Sequence, residues 1–142
     1  VVRNLCAWIK GGVAFVGGIV AYLWGPIDAL IIALVACAVT DYITGVLKGI
    51  CKKELSSEIG FKGLAKKVFM FAIVAVAALI DRVIPAANQA IRSAVIMFYI
   101  ANEVLSIIEN AGEMGLPIPG VIRKVIASMK KACGEDEEDK EE

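Results

Sequence analysis

Four apolar runs constrain this chain more than any other feature. They lie at about residues 5–24, 27–47, 68–84 and 93–111. A helix needs roughly 20 apolar residues to cross a bilayer's hydrocarbon core, and inside that core only helices or closed barrels can satisfy their backbone polar groups. The second run, Ile27 to Leu47, is long enough alone. The first is interrupted by Lys10, which leaves 11–24 free of charge, or roughly 21 Å of helix. The third needs Gly63-Leu64-Ala65 to complete a span. The chain therefore reads as an all-α integral membrane protein with about four transmembrane helices, or three if the first run stays in the interface.

Composition narrows the function classes. Hydrophobic residues make up 58% of the 142, against roughly 45–50% in soluble domains. Fifteen basic and fifteen acidic residues balance, so no global field attracts nucleic acid. Histidine is absent, which removes the commonest general base and the commonest metal ligand. Cys6, Cys37, Cys51 and Cys133 form no CxxC pair and no zinc spacing. No nucleophile–base pair or metal constellation is legible, so neither an enzyme nor a cofactor is expected. The first residues do not read as a cleavable signal.

Charge sets the expected orientation. Residues 48–67 read as a connector carrying six lysines, residues 81–93 as a connector with two arginines and one aspartate. By the positive-inside rule the lysine connector and the C-terminus are cytoplasmic. Four spans then put both termini inside, while the three-span form puts the N-terminus outside.

The expected organisation is a transmembrane domain over 1–118, a basic amphipathic helix over 119–133 and a disordered acidic tail over 134–142. In VIRKVIASMKKAC, Val121, Ile122, Val125, Ile126 and Met129 share one face. Arg123, Lys124, Lys130 and Lys131 occupy the other, which suits binding to an anionic leaflet. Packing on the lysine connector is the alternative.

The fourth run hides a polar stripe. At 100° per residue, Tyr99, Asn102, Glu103, Ser106, Glu109 and Asn110 fall within an arc of about 120°. A carboxylate at the centre of a span costs roughly 2.5–3.5 kcal/mol on insertion scales, so the stripe is expected to face other helices or water. Cys37, Asp41, Thr44 and Lys48 share a face of the second run. Acid would meet acid if the two faces pack together. Hydrogen bonding between helices is one reading of these groups; a water or ion path is the other.

Asp41-Tyr42-Ile43-Thr44-Gly45-Val46-Leu47-Lys48 resembles the DxxTGxxK signature of the toxin-secretion/phage-lysis holin family. Ser57, Gly60, Gly63-Leu64 and Lys66-Lys67 resemble that family's second block. Asn102-Glu103, Ser106-Ile107 and Glu109-Asn110, followed by Gly115-Leu116-Pro117-Ile118-Pro119, resemble its third. The resemblance runs in order from about residue 28 to 130 and brings no catalytic residue. It implies a small phage-encoded protein of the bacterial cytoplasmic membrane. Such a protein oligomerises with itself and opens large lesions, through which endolysin or toxin leaves as cargo. Paired glycines at Gly11-Gly12 and Gly17-Gly18, and Gly45 with Gly49, offer close-approach surfaces for that assembly. Two further readings stay open: a small proton-coupled transporter with Glu103 as its carrier site, and a membrane scaffold recruiting a partner through its basic helix and acidic tail.

Overall fold

The computed structural model describes residues 2–133, with the side chains of Arg3, Ile126 and 129–133 left aside. The expected acidic tail, 134–142, lies outside the described residues. Five α-helices follow in order: α1 Val2–Trp24, α2 Ala29–Lys52, α3 Ser57–Val83, α4 Ala90–Glu113 and α5 Gly120–Cys133. A single 3₁₀ turn, Pro85–Ala87, joins α3 to α4. The first four helices are each long and apolar enough to cross a membrane.

The helix ends follow from local chemistry. Gly25, at φ +80, opens the turn after α1. Asp28 then caps α2, its carboxylate accepting from the Ile31 N–H at 3.1 Å, which satisfies one orphan donor of the first turn. Lys53, in the left-handed region, ends α2, and Ser56 caps α3 by accepting from Ile59 N–H. The connector between α2 and α3 is thus only 53–56. This shortens the lysine connector expected over 48–67. Lys48 and Lys52 ride on α2, and Lys62, Lys66 and Lys67 on α3. The ammonium groups of Lys48, Lys52 and Lys67 reach carboxylates, as long charged side chains can while their stems lie along a helix. The connector expected over 81–93 shortens likewise, because Asp81 and Arg82 belong to α3 and Arg92 to α4.

The bundle centre lies where α2, α3 and α4 meet. Ile31 and Leu34 of α2, Met70 and Val74 of α3 and Ile96 of α4 are buried together. Ala38, Ala77 and Ala78 let the backbones approach. Helix α1 attaches at its C-terminal end alone among its described side chains. The Trp24 indole N–H donates to the Phe71 carbonyl at 2.8 Å. Arg82 donates to the Ala21 carbonyl and stacks 4.2 Å over the Tyr22 ring. Most large apolar side chains face outward, among them Trp8, Phe15, Phe69 and Phe98. In water such a surface would be untenable; in lipid it is the ordinary outer face of a span.

Two of the close-approach glycines have neighbours within the chain. Gly45 leaves room for Asn110, and Gly49 for Leu55 of the α2–α3 turn. Both serve packing within the chain. Gly11, Gly12, Gly17 and Gly18 have no other group within 4 Å of where a Cβ would sit, so α1 is open beside each of them.

Candidate functional site in the membrane plane

Three helices deliver charged groups to one point. Lys67 of α3 bonds to Asp41 of α2 at 2.5 Å and to Glu103 of α4. Their side chains are 15%, 13% and 8% exposed, which makes this a charge cluster inside the bundle. The ammonium, with three donors, bridges both carboxylates. The expected meeting of acid with acid is therefore corrected: a lysine stands between them, and two carboxylates with one ammonium leave one net negative charge.

The cluster continues toward the lysine-rich end. Asn110 donates its amide to Asp41 at 3.3 Å and to the Thr44 hydroxyl at 3.1 Å. Thr44 in turn donates to the backbone carbonyl of Asp41. Past that level, Glu113 pairs with Lys48 and Lys52. Among the described residues, no buried side-chain polar atom lacks a hydrogen-bond partner. In a bilayer, where water cannot take up an unmet donor, that completeness is what permits the cluster to exist.

The polar stripe of α4 is divided by this packing. Glu103 and Asn110 are buried against α2 and α3. Tyr99, Ser106 and Glu109 are half-buried and Asn102 is exposed. These four line a groove of about 850 Å³ between α2, α3 and α4, whose opposite wall carries Tyr42, Gly60, Gly63, Lys62 and Lys66. The residues expected to bind lipid lie apart, on α5. Arg123 and Lys124 are exposed there, and Lys130 and Lys131 fall on the same helix. Val121 and Val125 of α5 are 74% and 50% exposed, so this part of its apolar face is left uncovered by the rest of the chain.

Sequence reading missed two things. The first is Lys67 as the hub. Hairpin register could have found it: Asp41 and Lys67 each lie thirteen residues from Glu54, and Lys67 and Glu103 each eighteen from Pro85. Antiparallel helices joined by short turns bring such pairs to one level. The second is a latch at the far end of the bundle. Arg92, 1% exposed, donates through Nε to the Trp24 carbonyl at 2.6 Å and through Nη2 to the Pro26 carbonyl at 2.9 Å. It also grips both oxygens of Asp28, at 2.8 and 3.2 Å. Asp81 accepts from the N–H groups of Ile91 and Arg92, capping α4 from a neighbouring helix where the positive end of the helix dipole favours an anion. Arg92 holds the Asp28 carboxyl below the ordinary carboxylate range, opposed by burial and aided by the Ile31 N–H. Asp28 directly before an apolar run was the legible half of this latch, as a helix cap; a carbonyl cradle leaves no mark in sequence.

The cluster joins the three sequence blocks set out above, with Asp41 and Thr44 from one, Lys67 from the next, and Glu103 and Asn110 from the last. The model of the bacteriophage holin family matches residues 18–131. The chain belongs to that family. It is 42% identical over 102 residues to a probable holin of Bacillus phage phi105, covering 72% of this chain and 74% of the phage protein. It is 44% identical over 130 residues to an uncharacterized protein of Listeria monocytogenes, covering 92% of each. An uncharacterized 14.9 kDa protein of the nagH 3′ region of Clostridium perfringens shares 34% over 127 residues, covering 89% and 96%. No solved structure matches the chain. The holin family is a non-enzymatic membrane protein family, and four apolar helices agree with a multi-pass membrane protein.

Proposed function

We propose that this protein is a holin: it assembles with copies of itself in the bacterial cytoplasmic membrane and opens lesions that release an endolysin or a toxin without binding it specifically. The observation that carries the reading is the charge cluster of Asp41, Lys67 and Glu103 at the meeting of three spanning helices. A lesion needs a helix face stable both against its neighbours and against water. Lys67 satisfies Glu103 and Asp41, and Asn110 bonds to Asp41 and Thr44, inside the resting bundle, while Tyr99, Asn102, Ser106 and Glu109 already line a groove. Parting α4 from α2 and α3 would expose the whole stripe to water or to another subunit. Such bistable elements differ by only a few kcal/mol between their two arrangements.

The orientation follows from charge. Lysines crowd the end of the bundle holding the α2–α3 turn, so that end and α5 are cytoplasmic. Arg123, Lys124, Lys130 and Lys131 then rest α5 on the anionic leaflet, with Val121 and Val125 turned into the acyl boundary. The Arg92 latch faces the outside.

The test is inducible expression in a bacterial host carrying a potential-sensitive dye, followed by imaging of the purified protein in lipid. The expected result is abrupt, late loss of membrane potential and a large ring or sheet. A compact dimer that leaves the potential intact until a substrate gradient is applied would replace this reading with the transporter that uses Glu103.

A further inference from the structure

We infer that the groove between α2, α3 and α4 is a binding site for the headgroup of one anionic phospholipid of the inner leaflet, its phosphate held by Lys62 and Lys66. The inference rests on the orientation proposed above; it concerns a different site from α5.

Charge allocation is the first argument. Of the cations lining the groove, Lys67 is committed to Asp41 and Glu103, and Lys48 to Glu113. Lys62 and Lys66 are exposed on the groove wall and make no ion pair with a described residue. They stand four apart on α3, hence on one face. Two uncommitted ammonium groups on one wall suit a phosphate diester.

Depth is the second argument. Asp81 marks the outer end of the bundle through its bonds to the start of α4. Lys66 lies fifteen residues from it and Lys62 nineteen, about 22 and 28 Å along the helix. With a hydrocarbon core about 30 Å thick, Lys62 meets the inner headgroup layer. Helical side chains lean toward their own N-terminus, which for α3 is the inner end, so Lys66 reaches the same layer.

Shape is the third argument. Gly60 and Gly63 leave the α3 wall without side chains; a Cβ added at Gly60 would lie 3.8 Å from the Tyr42 hydroxyl, and one at Gly63 4.0 Å from the Tyr42 ring. Phe98, 63% exposed, and Leu105 line the groove above and offer an apolar path for an acyl chain. Asn102 and Ser106 supply neutral donors on the facing wall. A purely apolar lipid would leave these polar groups unmet; a headgroup meets them.

The experiment uses the full-length protein in nanodiscs of phosphatidylcholine with phosphatidylglycerol, extracted into mild detergent for native mass spectrometry. The wild-type chain should retain one phosphatidylglycerol per subunit. The variant R123Q/K124Q/K130Q/K131Q should retain it too, because α5 is not the site. Lys62→Gln with Lys66→Gln should weaken retention about thirtyfold, from two lysines each contributing as near an anionic surface. Gly63→Leu fills the groove without changing charge and should also expel the lipid. A match by glycerol phosphate in the same titration would overturn a lipid site in favour of a free-phosphate site. Retention undiminished in both the lysine and the glycine variants overturns the inference, as does loss in the α5 variant alone or a neighbouring subunit crosslinked into the groove in place of lipid. A wild-type chain that retains no phosphatidylglycerol while its lesions open on schedule would sink this inference and spare the holin reading; a wild-type chain that retains the lipid and causes no depolarisation would do the reverse.

Discussion

Lys67→Met is the sharpest perturbation of the bundle. Methionine keeps most of the stem volume and deletes the ammonium that Asp41 and Glu103 share. Both carboxylates bond to one nitrogen, so the facing oxygens are at most about 5 Å apart. At an effective dielectric constant near 20 their repulsion is about 3 kcal/mol. Breaking a buried pair by removing one partner costs about 3–5 kcal/mol by experience, in agreement. The reference state in a membrane also finds partners for polar groups, which trims such numbers, so a loss of about 2–4 kcal/mol is expected. Adding Asp41→Asn and Glu103→Gln to Lys67→Met removes every charge and should restore stability to within about 1 kcal/mol of the parent, since neutral replacements for buried ion groups are often benign. Reversible unfolding in mixed micelles measures the stabilities, and dye-reported depolarisation the timing. Lys67→Met should fire early and the triple variant late. Glu103→Gln or Asp41→Asn alone turns a singly negative cluster into a neutral pair and should delay firing without impairing insertion. A Lys67→Met protein as stable as the parent, or a triple variant as unstable as the single, would refute the account of the cluster.

Four other outcomes are expected. The Asp28 carboxyl is held down by Arg92, and a depressed folded-state pKa gives stability that is present above the ordinary value of 3.8 and lost as pH falls through the folded value; acid melting of the parent should therefore show a limb below about pH 4 that Asp28→Asn lacks, and an unchanged limb would deny the latch a role. Arg92→Leu leaves the Trp24 and Pro26 carbonyls without their donor and should loosen α1, read as faster amide exchange at the α1–α2 turn, whereas protection equal to the parent would dismiss the cradle. Cys51 and Cys133 should resist an impermeant thiol reagent added outside intact cells and react in inverted vesicles; labelling of both from outside overturns the orientation. A peptide covering 121–133 should prefer anionic over neutral vesicles, the four basic residues contributing about 1 kcal/mol each, and equal binding would assign α5 to protein packing instead.

The candidate spans, though not the choice between three and four, and the existence of the α4 stripe were legible in the sequence, because both depend on the spacing of residue types along one helix. Length against bilayer thickness selects the spans, and the 3.6-residue period collects Tyr99, Asn102, Glu103, Ser106, Glu109 and Asn110 on one side. Helix ends were legible only in part. Asp28 before an apolar run carries the signal of a cap, which the run boundaries alone did not use, and lysines concealed that α3 begins at Ser57, since hydropathy counts a lysine as polar while its stem lies along a spanning helix.

What tertiary structure decided is who meets whom. The sequence places Asp41 and Glu103 on polar faces and leaves them to confront each other; only the packing of α2, α3 and α4 inserts Lys67 between them. It also divides the stripe, sending Glu103 and Asn110 into the bundle and Asn102 to the groove. The Arg92 latch depends on backbone carbonyls at Trp24 and Pro26, which every residue possesses and no residue type signals. The physical reason is common to all three. Periodicity along a helix is a local property of the chain, whereas the partner of a charge is chosen by the register of three helices, and that register is set by two short turns whose lengths matter only once the helices pack.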